Sequence, residues 1–148
     1  MSDPLLSTTE MRIGTISTLR ELAAVVHDSG RAYVRYSEGP ENDQDTSIDT
    51  ESGLALPGLS VNPLHAEEWW TRPFEDWLAR QVCQYRDLQE KNPGRYPWAL
   101  LGREVGRGPD CEPLLRAVVP LARLDDRLLA EAEHRYRTRF DAGQGPED

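Results

Sequence analysis

The sequence predicts an α+β fold: a single small domain with a mostly antiparallel sheet of about four strands packed against about three helices. Three observations carry that expectation. Apolar residues recur at helical spacing in the stretches around 18–28, 73–91 and 126–140. They alternate with polar residues or form short runs around 31–37, 54–63, 98–105 and 114–124. The two kinds follow one another as helix, strand, strand, helix, strand, strand, helix, which places helices against an antiparallel sheet. A chain of 148 residues, 38% hydrophobic and 29% charged, is long enough to bury one core without disulfides or metal. The expected organisation is a loose tail over 1–10, the domain over 11–142 and a C-terminal tail over 143–148.

Thr18 and Glu21 form a capping box that starts the first helix, Leu19, Leu22, Ala23 and Val26 form its apolar stripe, and Ser29-Gly30 stops it. Over 31–37, Ala32, Val34 and Tyr36 alternate with Tyr33, Arg35 and Ser37, so Arg35 is expected on the face opposite Val34. Residues 38–51 hold six carboxylates and no base and read as a solvated, flexible acidic loop. Its spaced acids lack the turn glycine of a calcium loop, so no metal site is expected there. Leu54 to Val61 surround Pro57-Gly58 and feed a short strand that stops at Asn62-Pro63. Of the adjacent Trp69 and Trp70, one is expected to plug the core and the other to cap a cleft or partner surface.

Pro73 opens a long helix with Phe74, Trp77, Leu78, Val82, Tyr85 and Leu88 on its apolar side, ended by Asn92-Pro93-Gly94. Gln81 lies inside that stripe and must clamp neighbouring backbone or touch a ligand, whereas Cys83 is expected on the opposite, polar side. Two further strands flank a turn at 106–110, and Pro120 breaks the second or relegates it to an edge. Asp125 caps the last helix, whose inward side is Leu128, Leu129, Ala132, Tyr136 and Phe140.

A net charge of −9 argues against a duplex nucleic-acid binder, and no run is apolar enough for a membrane helix. With no basic and apolar leader at the N-terminus, the expected location is cytoplasmic. Cys83 and Cys111 are far apart, outside any metal-ligand spacing, and read as free thiols.

The candidate chemistry centres on a pocket walled by residues 53–72, Arg35 and the turn at 106–110, suited to a small anionic molecule. Its candidate ligand-binding residues are Arg35, Ser60, Asn62, Trp69, Trp70, Arg72, Gln81, Arg103 and Arg107. Arg35, Ser60, Glu112 and His65 are the catalytic candidates; His65 stands in the aromatic loop, while His27 and His134 lack a serine or cysteine elbow nearby. Cys111 is a second conceivable nucleophile beside Ser60. The competing expectation is an interaction or homodimerisation module anchored by Trp69 or Trp70.

Two resemblances bear on these residues. Arg35, Ser60 and Glu112 occur in the order that resembles NAD-consuming ADP-ribosyltransferases, in which an early-strand arginine holds the dinucleotide, a serine supports the site and a later glutamate orients the ribose. That resemblance alone brings in NAD. The chain has no Ser-Thr-Ser cluster, and Glu112 is not part of a Glu-x-Glu. More extensively, Ser52 to Leu64, Trp69-Trp70, Asp76 to Gln81 and Gly106 to Asp110 resemble a family of small actinobacterial proteins of unknown activity, which implies no functional residue.

Overall fold

Where capping chemistry demanded a helix start, the computed structural model has one; it describes residues 13–41, 43 and 53–140. The expected tails at 1–10 and 143–148, and most of the acidic segment, lie outside the described residues. Thr18 Oγ1 accepts from the Glu21 amide at 3.0 Å, and the Glu21 carboxylate accepts from the Thr18 amide at 3.2 Å. Helix α1 (Leu19–Ser29) then buries Leu19, Leu22 and Val26 and ends at Gly30, whose φ of 81° is costly for any residue with a side chain.

Among the described residues the sheet has six strands where about four were expected: β1 (Gly14–Ile16), β2 (Tyr33–Ser37), β3 (Leu59–Ser60), β4 (Asn62–Pro63), β5 (Tyr96–Arg107) and β6 (Pro113–Leu124). Its order is β1-β6-β5-β2-β4, with β3 also on β6, and every pairing is antiparallel except β1 with β6. The additional count comes from short pieces. Strand β1 is only three residues long and pairs in parallel with β6, which no local pattern announces.

Strands β3 and β4 are separated by Val61 alone and face different partners. The Val61 amide donates to the Pro113 carbonyl at 3.2 Å, on the β6 side, and the Leu64 amide donates to the Ala32 carbonyl at 2.9 Å, on the β2 side. The segment 59–64 therefore closes a ring of pairings through β2, β5 and β6. Pairing runs as far as Pro63, opposite Tyr33, where β4 ends; a proline lacks only the donor, and its carbonyl accepts from Gln81 Nε2 at 2.9 Å. Gln81 thus takes the backbone-clamping alternative.

Two apolar cores result. Against the helices lie Val34, Leu64, Ala99, Ala122 and Leu124; a second cluster draws Tyr33, Leu59, Val61, Trp98, Leu100 and Leu115 from all sides of the ring. Alternation along β2 separates them, with Val34 facing the helices and Tyr33 the ring. Pro120 sits inside β6 opposite Leu100, at a register shift, which corrects the expectation that it breaks the strand or relegates it to an edge: β6 runs on to Leu124, with β5 on one side and β3 and β1 on the other.

The long helix divides into α2 (Phe74–Val82) and α3 (Gln84–Lys91) at Cys83. Cys83 is half-buried against the helix-side core, which corrects the expectation of a polar, outward position. The helix is flanked by the sheet and by α4 (Asp126–Phe140), so its buried sector is wider than one stripe. Burial, with nearby Glu133, pushes the Cys83 thiol up from its ordinary value. Asp125 caps α4 through its carboxylate, which accepts from the Leu128 amide at 3.1 Å. No described helix is long and apolar enough to cross a membrane.

Helices α2 and α4 are joined by a fully buried carboxylate. Asp76 accepts from Arg135 Nε at 2.6 Å and from Arg139 Nε at 3.3 Å, with Arg72 3.7 Å away. Arg72 also lies 4.1 Å over the Phe140 ring. Removing the acid leaves Arg135 with Glu75 alone, 3.4 Å away, and takes from Arg139 and Arg72 the carboxylate they share. Asp76→Ala should lower stability by about 2–3 kcal/mol, below the full value for a buried pair because the arginines are partly exposed. Urea unfolding with an unchanged slope checks it, and a midpoint equal to wild type would contradict the role.

Candidate functional site

The site is built on the tight turn between β5 and β6. The Gly108 amide donates to the Glu112 carbonyl at 2.8 Å and the Cys111 amide to the Gly108 carbonyl at 2.9 Å. Cys111 adopts φ of 63°, uncommon for a residue with a side chain. Gly108 matters for a different reason: a Cβ there would overlap the Glu112 carboxylate and displace it from this position.

Both oxygens of that carboxylate are held. Glu112 Oε1 accepts from the Asp110 amide at 2.9 Å, and Oε2 accepts from Ser60 Oγ at 2.7 Å. The Ser60 carbonyl in turn accepts from Arg35 Nη1 at 2.7 Å. Arg35 Nε donates to Asp43 at 2.6 Å, the same carboxylate accepts from Ser37 Oγ at 2.8 Å, and Ser37 Oγ accepts from Trp98 Nε1 at 3.0 Å. An unbroken polar chain therefore runs from the buried Trp98 indole to the turn. Such a chain fixes rotamers along its length because each member loses a partner if its neighbour moves.

Glu112 faces a compartment of about 390 Å³ lined by Ser60, Asn62, Glu67, Arg107 and Cys111 among others. A second, of about 360 Å³, is lined by Arg31, His65, Glu67, Trp69, Glu104 and Arg107. Pro63, Glu67, Arg107 and Pro113 line both, so the two compartments adjoin and share a wall, and together they make the cleft. In the second compartment Arg31 and Arg107 each lie 3.5 Å from Glu104, which also accepts from the Tyr33 hydroxyl at 2.8 Å. Burial and that bond push the Tyr33 hydroxyl up from its ordinary value. Burial, then the Arg31 charge, hold His65 below its ordinary 6.5, so its imidazole is neutral at physiological pH.

Of the residues expected at the site, Arg35, Ser60 and Glu112 come together, and Asn62, His65, Trp69, Arg107 and Cys111 line the cleft. Trp69 is 64% exposed, while Trp70 is half-buried against the helical core and donates to the Pro73 carbonyl. Arg72 belongs to the Asp76 cluster, Gln81 to the Pro63 clamp, and Arg103 stands on β5 opposite Arg116, outside both compartments. Sequence reasoning did not single out Asp43, Gly108 or Glu104. The signal for Asp43 was Arg35 itself: a guanidinium placed opposite Val34, on a face without helices, requires a carboxylate close by.

Fold and site together define a small α+β domain with a carboxylate-bearing cleft at one end of its strand ring. Over residues 9–146 the sequence matches a family of unknown function (DUF6098), and the chain belongs to that family. Comparison with curated proteins and with solved structures found no match.

The low His65 pKa has a definite sign. The unfolded chain takes up its proton near 6.5, before the folded one does, so stability present above that pH is lost as pH falls towards the folded value. Urea unfolding at pH 7.5 and 5.5 should therefore show a smaller pH-dependent loss in His65→Gln than in wild type. Equal losses would contradict the assignment.

Proposed function

We propose that the chain is an NAD-consuming enzyme of the ADP-ribosyltransferase type, with Glu112 as the acting carboxylate. One observation carries this reading. Arg35, Ser60 and Glu112, separated by 25 and 52 residues, are linked in sequence order by two successive hydrogen bonds of 2.7 Å. That is the arginine, serine, glutamate order of the enzyme class, in which the serine supports the site; the arginine of that class holds the dinucleotide, whereas Arg35 here bonds Asp43 and the Ser60 carbonyl.

The chemistry suits the lining. Breaking the bond between the ribosyl C1′ and the nicotinamide nitrogen leaves the electron pair on nicotinamide and a cationic sugar, which a fixed carboxylate stabilises. Water or an acceptor then forms the new bond to C1′ and gives up a proton. The compartment carries Glu67, Asp110 and Glu112 against Arg107, a balance that favours a ligand with a cationic reacting end over a simple anion. Arg107 lines both compartments and is the cation that phosphates would meet. Ser60 is a positioning residue for Glu112, and Arg35 for Ser60.

Incubation with NAD should release nicotinamide, slowly to water and faster to an acceptor. Glu112→Gln should reduce the rate roughly a hundredfold or more. Ser60→Ala should cost about ten- to a hundredfold, the worth of one hydrogen bond to a charged group. Release that is absent from wild type with water and with polypeptide acceptors, or undiminished in Glu112→Gln, would overturn the reading.

The exposure of Trp69 favours a second reading, a protein-interaction or self-association surface. Light scattering on size-exclusion peaks should then show a mass rising towards twice the monomer with concentration. A constant monomer mass would remove self-association.

A further inference from the structure

The Asp43 carboxylate is held by one of its two oxygens. Oδ2 accepts from Arg35 Nε at 2.6 Å and from Ser37 Oγ at 2.8 Å. Among the described residues no other hydrogen bond holds Asp43, by side chain or by backbone, and it lies in neither helix nor strand. Its attachment therefore rests on two donors meeting at one atom.

The sheet sets the direction of those donors without help from Asp43. Ser37 is 3% exposed, and its Oγ accepts from Trp98 Nε1 at 3.0 Å and from the Gly39 amide at 3.1 Å. A hydroxyl has two acceptor positions and one proton. With both acceptor positions filled, the Ser37 proton has a single direction left, the one Asp43 occupies. Arg35 stands two residues earlier on the same face of β2, opposite Trp98, and its Nη1 is fixed by the Ser60 carbonyl at 2.7 Å. Because the guanidinium is planar, that bond also aims the Nε–H. Two fixed donors, one of them charged, thus converge on the place of a single oxygen, which is the arrangement that binds an oxyanion.

We propose that Arg35 Nε and Ser37 Oγ form an oxyanion site and that Asp43 is its built-in competitor, a tethered carboxylate that a phosphate group displaces in order to bind. An untethered carboxylate brings only the charge that Asp43 already supplies, whereas a phosphate brings more charge and more acceptor oxygens to the same two donors. Arg35 bonds directly to Ser60, a wall of the Glu112 compartment, so the site adjoins that cleft. The site stands on this geometry; that the phosphate belongs to a dinucleotide rests on the reading of Glu112 above.

The test is titration of the full chain, labelled with nitrogen-15, with inorganic phosphate and with NAD, the same oxyanion free and carried. The signal is the Arg35 Nε–H resonance, assigned by its loss in a variant combining Asp43→Ala with Arg35→Gln. That double variant removes both members of the ion pair, so it leaves no uncompensated charge behind. Asp43→Ala should bind one or both probes about tenfold more tightly than wild type, because the competitor no longer holds the site. The tighter probe identifies the source of the phosphate. Asp43→Asn keeps the shape of the side chain and should give a smaller gain in the same direction, which preserves the test if Asp43→Ala unfolds. Equal affinity in wild type and both Asp43 variants, or a gain that survives in the double variant, would overturn the proposal. Nicotinamide release is measured separately. Tighter phosphate binding in Asp43→Ala with no turnover in any variant sinks the transferase reading alone, and turnover in wild type without that gain sinks this inference alone.

Discussion

Everything at the candidate site depends on one short segment being paired on both sides. Residues 59–64 hydrogen-bond to β6 through Val61 and to β2 through Leu64, and that closure is what sets Ser60 between Arg35 and Glu112. A surface loop at the same position could carry the same residues without fixing their distances. The apolar cluster of Tyr33, Leu59, Val61, Trp98, Leu100 and Leu115 makes the closure favourable, because these side chains leave water only when all the participating strands are in place. Function and folding are therefore coupled: the core that holds the ring shut also aligns the polar chain along it.

Much of this was legible from local chemistry. The Thr18 and Glu21 pair marked its helix start, alternation along 31–37 put Arg35 opposite Val34, and a glutamine in an apolar stripe implied a backbone partner, which is the Pro63 carbonyl. What was not legible depends on residues distant in sequence. Strand β1 exists because β6 has an open edge at 122–124, and the segment at 59–63 pairs first with β6 and then with β2 because each offers it a partner there. Cys83 is drawn inward by α4, an element more than forty residues later. The order of Arg35, Ser60 and Glu112 could be read along the chain, but their contact depends on the ring.

The electrical character of the cleft was the least legible feature. Tryptophans beside arginines suggested a pocket for an anion, yet Arg35 pairs with Asp43, Arg72 with Asp76, and Arg31 and Arg107 with Glu104. Once each guanidinium has its carboxylate, the groups left facing the cleft are acidic. Counting arginines along a sequence overstates positive potential wherever the fold supplies their partners, and in a chain of net charge −9 such partners are plentiful.

The most direct measurement is native-state amide exchange at Val61 and Leu64. Both donate across the closure, and both side chains lie in the two cores. If the ring is closed, these amides open only with global unfolding, and their exchange free energies match the stability measured in urea. Exchange at Val61 and Leu64 as fast as in an unpaired loop, with the β5–β6 amides still protected, would contradict the closure and with it the alignment of Arg35, Ser60 and Glu112.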